Sequence, residues 1–221
     1  VRLQAAKVLI ALLAALLMPV LAAAQTNGTS KSDAHRTDEH TPQPSAGAKI
    51  TKFYIAEAAR GSGYETGPLY IIYSDGTHFI QKLPPLRKST DKDTVFNAVG
   101  ISEVQLADDR QTLGWAVQVE NCCTSYSVPL SVVVFRSGRV IHSFDSGQMV
   151  WNWMFLHGGN QLAVVWGPTH GPEVGDYRLY DVETGKLVSE VYGDEERQAL
   201  KADAPEWAKR LEERFHGGGR N

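Results

Sequence analysis

An all-β fold, made of successive small antiparallel sheets and finished by one amphipathic helix, is what this sequence predicts. Three observations carry that expectation. Residues 51–83, 111–144 and 160–191 share one layout: a strand, a loop of variable length, a second strand, a tight turn containing glycine, and a third strand. The turns are Ser74-Asp75-Gly76-Thr77, Arg136-Ser137-Gly138-Arg139 and Val182-Glu183-Thr184-Gly185, and glycine supplies the positive φ that a tight hairpin requires. Residues 194–215 instead place apolar side chains at three- and four-residue steps, which is helical spacing.

Ahead of the first unit, Arg2 and Lys7 precede an apolar run at 8–21 and the small residues Ala22, Ala23 and Ala24. That is the layout of a secretory signal peptide, with cleavage expected after Ala24 and a periplasmic or secreted destination. The apolar stretch falls short of the roughly 20 residues that span a bilayer and contains Pro19, so no membrane span is expected after cleavage. Loss of residues 1–24 removes two bases and no acid, which takes the formal charge from −3 to about −5. Residues 25–48 hold no large apolar side chain and cannot bury enough surface to offset their ordering entropy, so they read as a disordered linker. The remainder divides into a β-repeat domain at 49–192 and a helical tail at 193–221.

Gly138 and Gly185 lie 47 residues apart, Leu113 and Leu162 lie 49 apart, and both second strands follow a polar turn, at 107–110 and 157–160. A period of about 45–50 residues holding four short strands is propeller-blade spacing. In the middle unit the strands are expected at 101–106, 112–120, 128–135 and 139–144. In the last they are expected at 149–156, 162–166, 177–181 and 186–192. The first unit lacks a first strand, because the segment before Lys49 is too polar to supply one, and the wider spacing from Gly76 to Gly138 matches a polar insert at 84–97. About eleven strands make two to three antiparallel, four-stranded, propeller-like blades, fewer than the 4–8 that close a ring. The expected fold is therefore open or incomplete, with a β-sandwich and a ring completed by other chains as alternatives, and exposed edges would favour partners.

The segment 177–188 carries Asp181, Thr184, Gly185 and Lys186 in an Asp-x-x-Thr-Gly-Lys arrangement. It resembles the third strand, turn and fourth strand of WD40-like and quinoprotein-type β-propeller blades. The local physics is a carboxylate bonding turn amides and a glycine closing the hairpin. Ser189 to Val191 stand where a tryptophan often ends quinoprotein blades, so the resemblance implies no cofactor.

In the tail, Leu200, Ala204, Trp207, Leu211 and Phe215 line one stripe, Asp203 and Pro205 mark a restart, and the helix is expected to dock on a sheet. Trp151, Trp153 and Phe155 alternate along one strand, which places all three on one face, as core between units or as an aromatic platform for a sugar or peptide. Trp115 and Trp166 carry the same two readings.

Antiparallel order gathers the loops at 58–68, 121–127 and 167–175 at the end where the units connect, leaving tight turns at the other. Long loops on a rigid scaffold collect binding residues. The binding-face candidates are Tyr64, Glu65, Cys122, Cys123, Tyr126, His170 and Glu173. Cys122 and Cys123 are the only cysteines, and three states stay open for them: a strained vicinal disulfide, unpaired thiols, or an intermolecular bridge. His170 with Glu173 and Asp176 offers too few convergent ligands for a metal, and His157 belongs to the other end. Clustered Lys and Arg are missing, which excludes a nucleic-acid surface. Nucleophile elbows, zinc-protease and phosphate-loop motifs are missing too, and Gly61-Ser62-Gly63 with Gly67 misses the dinucleotide spacing. No catalytic residue, metal or cofactor is assigned. The expectation is an exported binding protein for an envelope or extracellular protein or a small ligand. Two alternatives stand beside it: an envelope hydrolase or redox enzyme using Cys122, Cys123, His170, Glu173 and Asp176, and a structural, homo-oligomeric subunit of a ring.

Overall fold

Alternating apolar and polar residues build the first sheet from β1 (Ile50–Ile55), β2 (Leu69–Tyr73) and β3 (His78–Gln81), antiparallel in the order β1-β2-β3. A computed structural model describes residues 43–56, 64–82, 87–88, 95–96, 98–120, 126–169, 175–193 and 200–217. Ile50, Leu69, Ile71, Tyr73 and Phe79 point to one face and are buried, while Lys52, Tyr54 and Ile80 point to the other and are exposed. Within the insert, β4 (Arg87–Lys88) pairs with β5 (Val95–Phe96).

The second sheet is β6 (Ala98–Leu106), β7 (Thr112–Val119), β8 (Val128–Arg136) and β9 (Arg139–Phe144), in that order. The third is β10 (Met149–Leu156), β11 (Gln161–Gly167), β12 (Asp176–Asp181) and β13 (Leu187–Tyr192), again in chain order. Every residue of β7 is buried, as are six of the seven in β11, because both strands are covered on both faces. On β7, Leu113, Trp115, Val117 and Val119 pack with the inner face of the first sheet. On the opposite face of the second sheet, Val132 and Val134 pack with Trp153, Leu162, Val164 and Trp166 of the third. Gly114 permits this approach, since a Cβ there would fall 2.9 Å from both Trp153 and Phe155. The described residues are thus mostly β, in three antiparallel meanders and the short β4–β5 pair, and no described sheet closes on itself.

The units repeat at the level of hydrogen bonds. Ser74 N donates to Lys49 O at 2.8 Å in the first sheet, and Val182 N donates to Asn160 O at 2.9 Å at the matching position of the third. Asp181 accepts from Thr184 N and Thr184 Oγ1, both at 2.7 Å, and Gly185 takes φ 69°, the turn chemistry expected from the sequence. Arg136 ties the second sheet to the third, with Nε donating to Thr112 Oγ1 and a terminal nitrogen donating to Gly159 O, both at 2.7 Å. The first sheet is tied to the second at the Ile50 end of β1. There Ile50 N donates to Arg110 O at 2.6 Å and Lys49 Nζ donates to Asp109 O at 2.9 Å. At that same end Ser45 N and Ser45 Oγ both donate to Asp75 at 2.6 Å, so the chain enters the first sheet beside the β2–β3 turn.

The helix α1 (Glu206–Gly217) covers the outer face of the third sheet. Ala208 and Leu211 are fully buried against Met154, Leu156, Ala163, Val165, Tyr177 and Leu179. The Tyr177 hydroxyl donates to the Glu212 carboxylate across the same contact. The helix begins later than its spacing predicts: residues 200–205 are not helical, and 194–199 lie outside the described residues. Pro205 sets the start, since its ring would clash with a preceding turn while its carbonyl accepts from Ala208 N and Lys209 N.

One core expectation is corrected. A register shift between Val150 and Asn152 moves the alternation of β10 by one residue. Trp153 and Phe155 therefore face the second sheet, while Trp151 turns to the helix side and stacks on Phe215 at 5.7 Å and 7°.

Candidate binding cleft

A cavity of about 610 Å³ opens where the far end of β1 meets the edge of β6, against about 240 and 140 Å³ for two others. Its walls are Phe53–Ile55 of β1, Tyr64 and Glu65 from the connection to β2, and Ile101–Val104 of β6. Each wall has an identifiable support. Glu65 and Ile101 exchange two main-chain hydrogen bonds of 2.8 Å, which fixes the connection against the β6 edge. Tyr64 lies over Gly100, where a Cβ would come within 2.3 Å of the ring, so only glycine admits the tyrosine in this position. Ser102 Oγ accepts from buried Gln118 Nε2 at 2.7 Å, and Ser127 Oγ donates to Gln118 Oε1 at 3.3 Å. On the β1 side, Tyr54 stacks on Tyr70 with ring centres 4.9 Å apart, and Lys52 sits 5.1 Å from the Tyr54 ring centre.

Glu103 is the unusual member. The register of β6 against β7 shifts between Ser102 and Gln105, and Glu103 takes φ 52° inside that irregularity. Three other described non-glycine residues have positive φ, namely Arg110, Ser137 and His157, and all three lie in turns. A left-handed glutamate within a strand is costly and marks a place where the chain re-aims a side chain. Glu103 is exposed while forming part of the cavity wall. Desolvation pushes its pKa above the usual carboxylate range, and the positive charge of Arg214 pulls it back.

Of the residues expected from sequence, Tyr64 and Glu65 meet in this cleft, whereas Tyr126, exposed before β8, is not among its walls. Cys122, Cys123, His170 and Glu173 lie outside the described residues. Asp176 is described and pairs with Arg178 at 3.8 Å. Sequence reasoning missed Ser102 and Glu103, although a signal exists: Val99 and Ile101 alternate in one phase, Val104 and Leu106 in the other, and the break falls on Ser102-Glu103. Among the described residues, no group of three His, Cys, Asp or Glu side chains is placed to hold a metal, and no helix is long and apolar enough to cross a membrane.

The arrangement suits a ligand with apolar parts and a positive charge. Two acids, Glu65 and Glu103, share the walls with aromatic and aliphatic groups; among the described residues no lysine, arginine or histidine is part of those walls, with Lys52 beside Tyr54 and Arg214 acting on Glu103 from outside them. A volume of this size falls within the range of about 300–1,000 Å³ found for ligand sites. No family model matches the chain, and neither does any curated protein.

Proposed function

We propose that the chain is an exported binding module of propeller-like blades left open, and that it takes a cationic, partly apolar ligand of the envelope or extracellular space in the cleft between β1 and β6. The observation that carries this reading is that Glu65 and the left-handed Glu103 both line a cavity whose described walls hold no basic residue. Export is supported by the leader-like residues 1–24. The blade reading is supported by the recurring Ser74–Lys49 and Val182–Asn160 hydrogen bonds, by the order of the strands in each sheet, and by the Asp181 turn within the segment that resembles WD40-like and quinoprotein-type blades.

Calorimetric titration with a phenylalanine–arginine dipeptide amide, and with its neutral phenylalanine–citrulline twin, tests the reading. Saturable binding of the first, weakened about tenfold both by the twin and by Glu103→Gln, is expected. Equal binding of the twin, or an unaltered affinity in a folded Glu103→Gln variant, would defeat the assignment.

A further inference from the structure

Resting on that reading of the cleft, we propose that the ligand is an extended polypeptide strand that pairs antiparallel with the open edge of β1 and carries a basic side chain to Glu65 and Glu103. In the second sheet β7 lies between β6 and β8, and in the third β11 lies between β10 and β12. By the hydrogen bonds that Ser74 and Val182, the residues after β2 and β12, send to Lys49 and Asn160, β1 is the counterpart of β11, and by sheet order β11 matches β7; yet among the described strands β1 pairs with β2 alone. Among the described residues, no strand fills beside β1 the slot that β6 and β10 fill in their sheets. The large cavity opens at this slot, with Phe53–Ile55 forming one wall.

An unpaired strand edge offers a row of N–H and C=O groups to an incoming chain, and proteins usually blunt such edges with proline, charges or bulges. From Phe53 to Ile55 this edge carries none of these, and the only register shift of β1 lies at its other end, between Ile50 and Lys52. Main-chain pairing then supplies affinity with little regard to sequence, and the two carboxylates supply preference for lysine or arginine on the side turned to β6. β6 cannot accept the same strand at that level, because Glu65 already occupies its edge opposite Ile101.

The test uses the full chain and a capped peptide of about seven residues that alternates lysine with valine and threonine. Its twin is N-methylated at alternate residues, which removes one row of amide donors and keeps the charges. The parent is expected to bind at least about tenfold more tightly than the twin and to slow amide exchange within β1. Equal affinity of parent and twin, or unchanged exchange in β1 at saturation, overturns strand pairing. If the phenylalanine–arginine dipeptide still binds in a Glu103-dependent manner, the cleft reading survives that failure. If neither dipeptide nor peptide binds, the cleft reading itself falls.

Discussion

The outer faces of the first and third sheets invite comparison, because the two sheets share a strand plan and differ in what covers them. On the third, α1 buries Ala208 and Leu211 completely, and Tyr177 and Trp151 add a hydroxyl–carboxylate bond and a ring stack to the helix. On the first, Tyr54 and Ile80 are 42% and 52% exposed, and the polar tips of Tyr54 and Tyr70 together with Lys52 keep that face compatible with water. A meander of this kind therefore does not need both faces dry. The helix covers one end of the stack, whereas at the other the face of the first sheet that carries Tyr54 and Ile80 is exposed.

Leu211→Ala should break the comparison most severely. Truncation of a fully buried leucine typically costs about 2–5 kcal/mol, whereas Ile80→Ala on the open face should cost within about 0.5 kcal/mol; denaturant titration of both reads the difference. A comparable loss at Ile80 would mean that the first sheet's outer face is covered in solution. Next in size, Gly114→Ala forces a methyl against Trp153 and Phe155 and should destabilise by about 1–3 kcal/mol through overpacking. Its readout is a lower melting temperature without loss of strand signal in circular dichroism.

Arg136→Ala removes charge-assisted bonds to Thr112 and Gly159 and should cost about 1–3 kcal/mol. Glu183→Ala, which removes only the exposed partner of the same guanidinium, should cost at most about 0.5 kcal/mol. The smallest effects are those of pH. Asp75 is held well below the usual carboxylate range first by the Ser45 hydroxyl, and Asp181 is lowered first by the Thr184 hydroxyl. Both contribute stability at neutral pH that is lost as pH falls through their folded values, so the protection factors of the Ser45 and Thr184 amides, taken against the intrinsic exchange rate at each pH, should fall in acid. Glu103 has the opposite sign. Its raised value favours the folded state at low pH and costs stability as pH rises through it, so Glu103→Gln should be no less stable than the parent at pH 7. Thermal melts at pH 4 and pH 7 check this.

Much of the scaffold was legible because strand alternation and glycine turns are local signals. The strands expected at 139–144 and 149–156 coincide with β9 and β10, and the expected Asp181 turn is present. What stayed hidden depends on irregularities that alternation conceals. The shift at Trp151 could not be seen because Val150 and Trp151 are both apolar, so the pattern does not reveal which of them the bulge turns over. The helix start was blurred because Leu200 and Ala204 continue the apolar stripe across Pro205. Tyr64 and Glu65 were found by loop position, but their neighbour Glu103 comes from another sheet, and that meeting is set by the Glu65–Ile101 bridge rather than by nearby sequence.

The Ser45–Asp75 hydrogen bonds also separate the first described residues from the cleft. They fasten the incoming chain at the Ile50 end of β1, whereas the cleft opens at the Ile55 end. A label attached at residues 43–45 would therefore sit at the end of β1 remote from the cleft and leave its mouth clear.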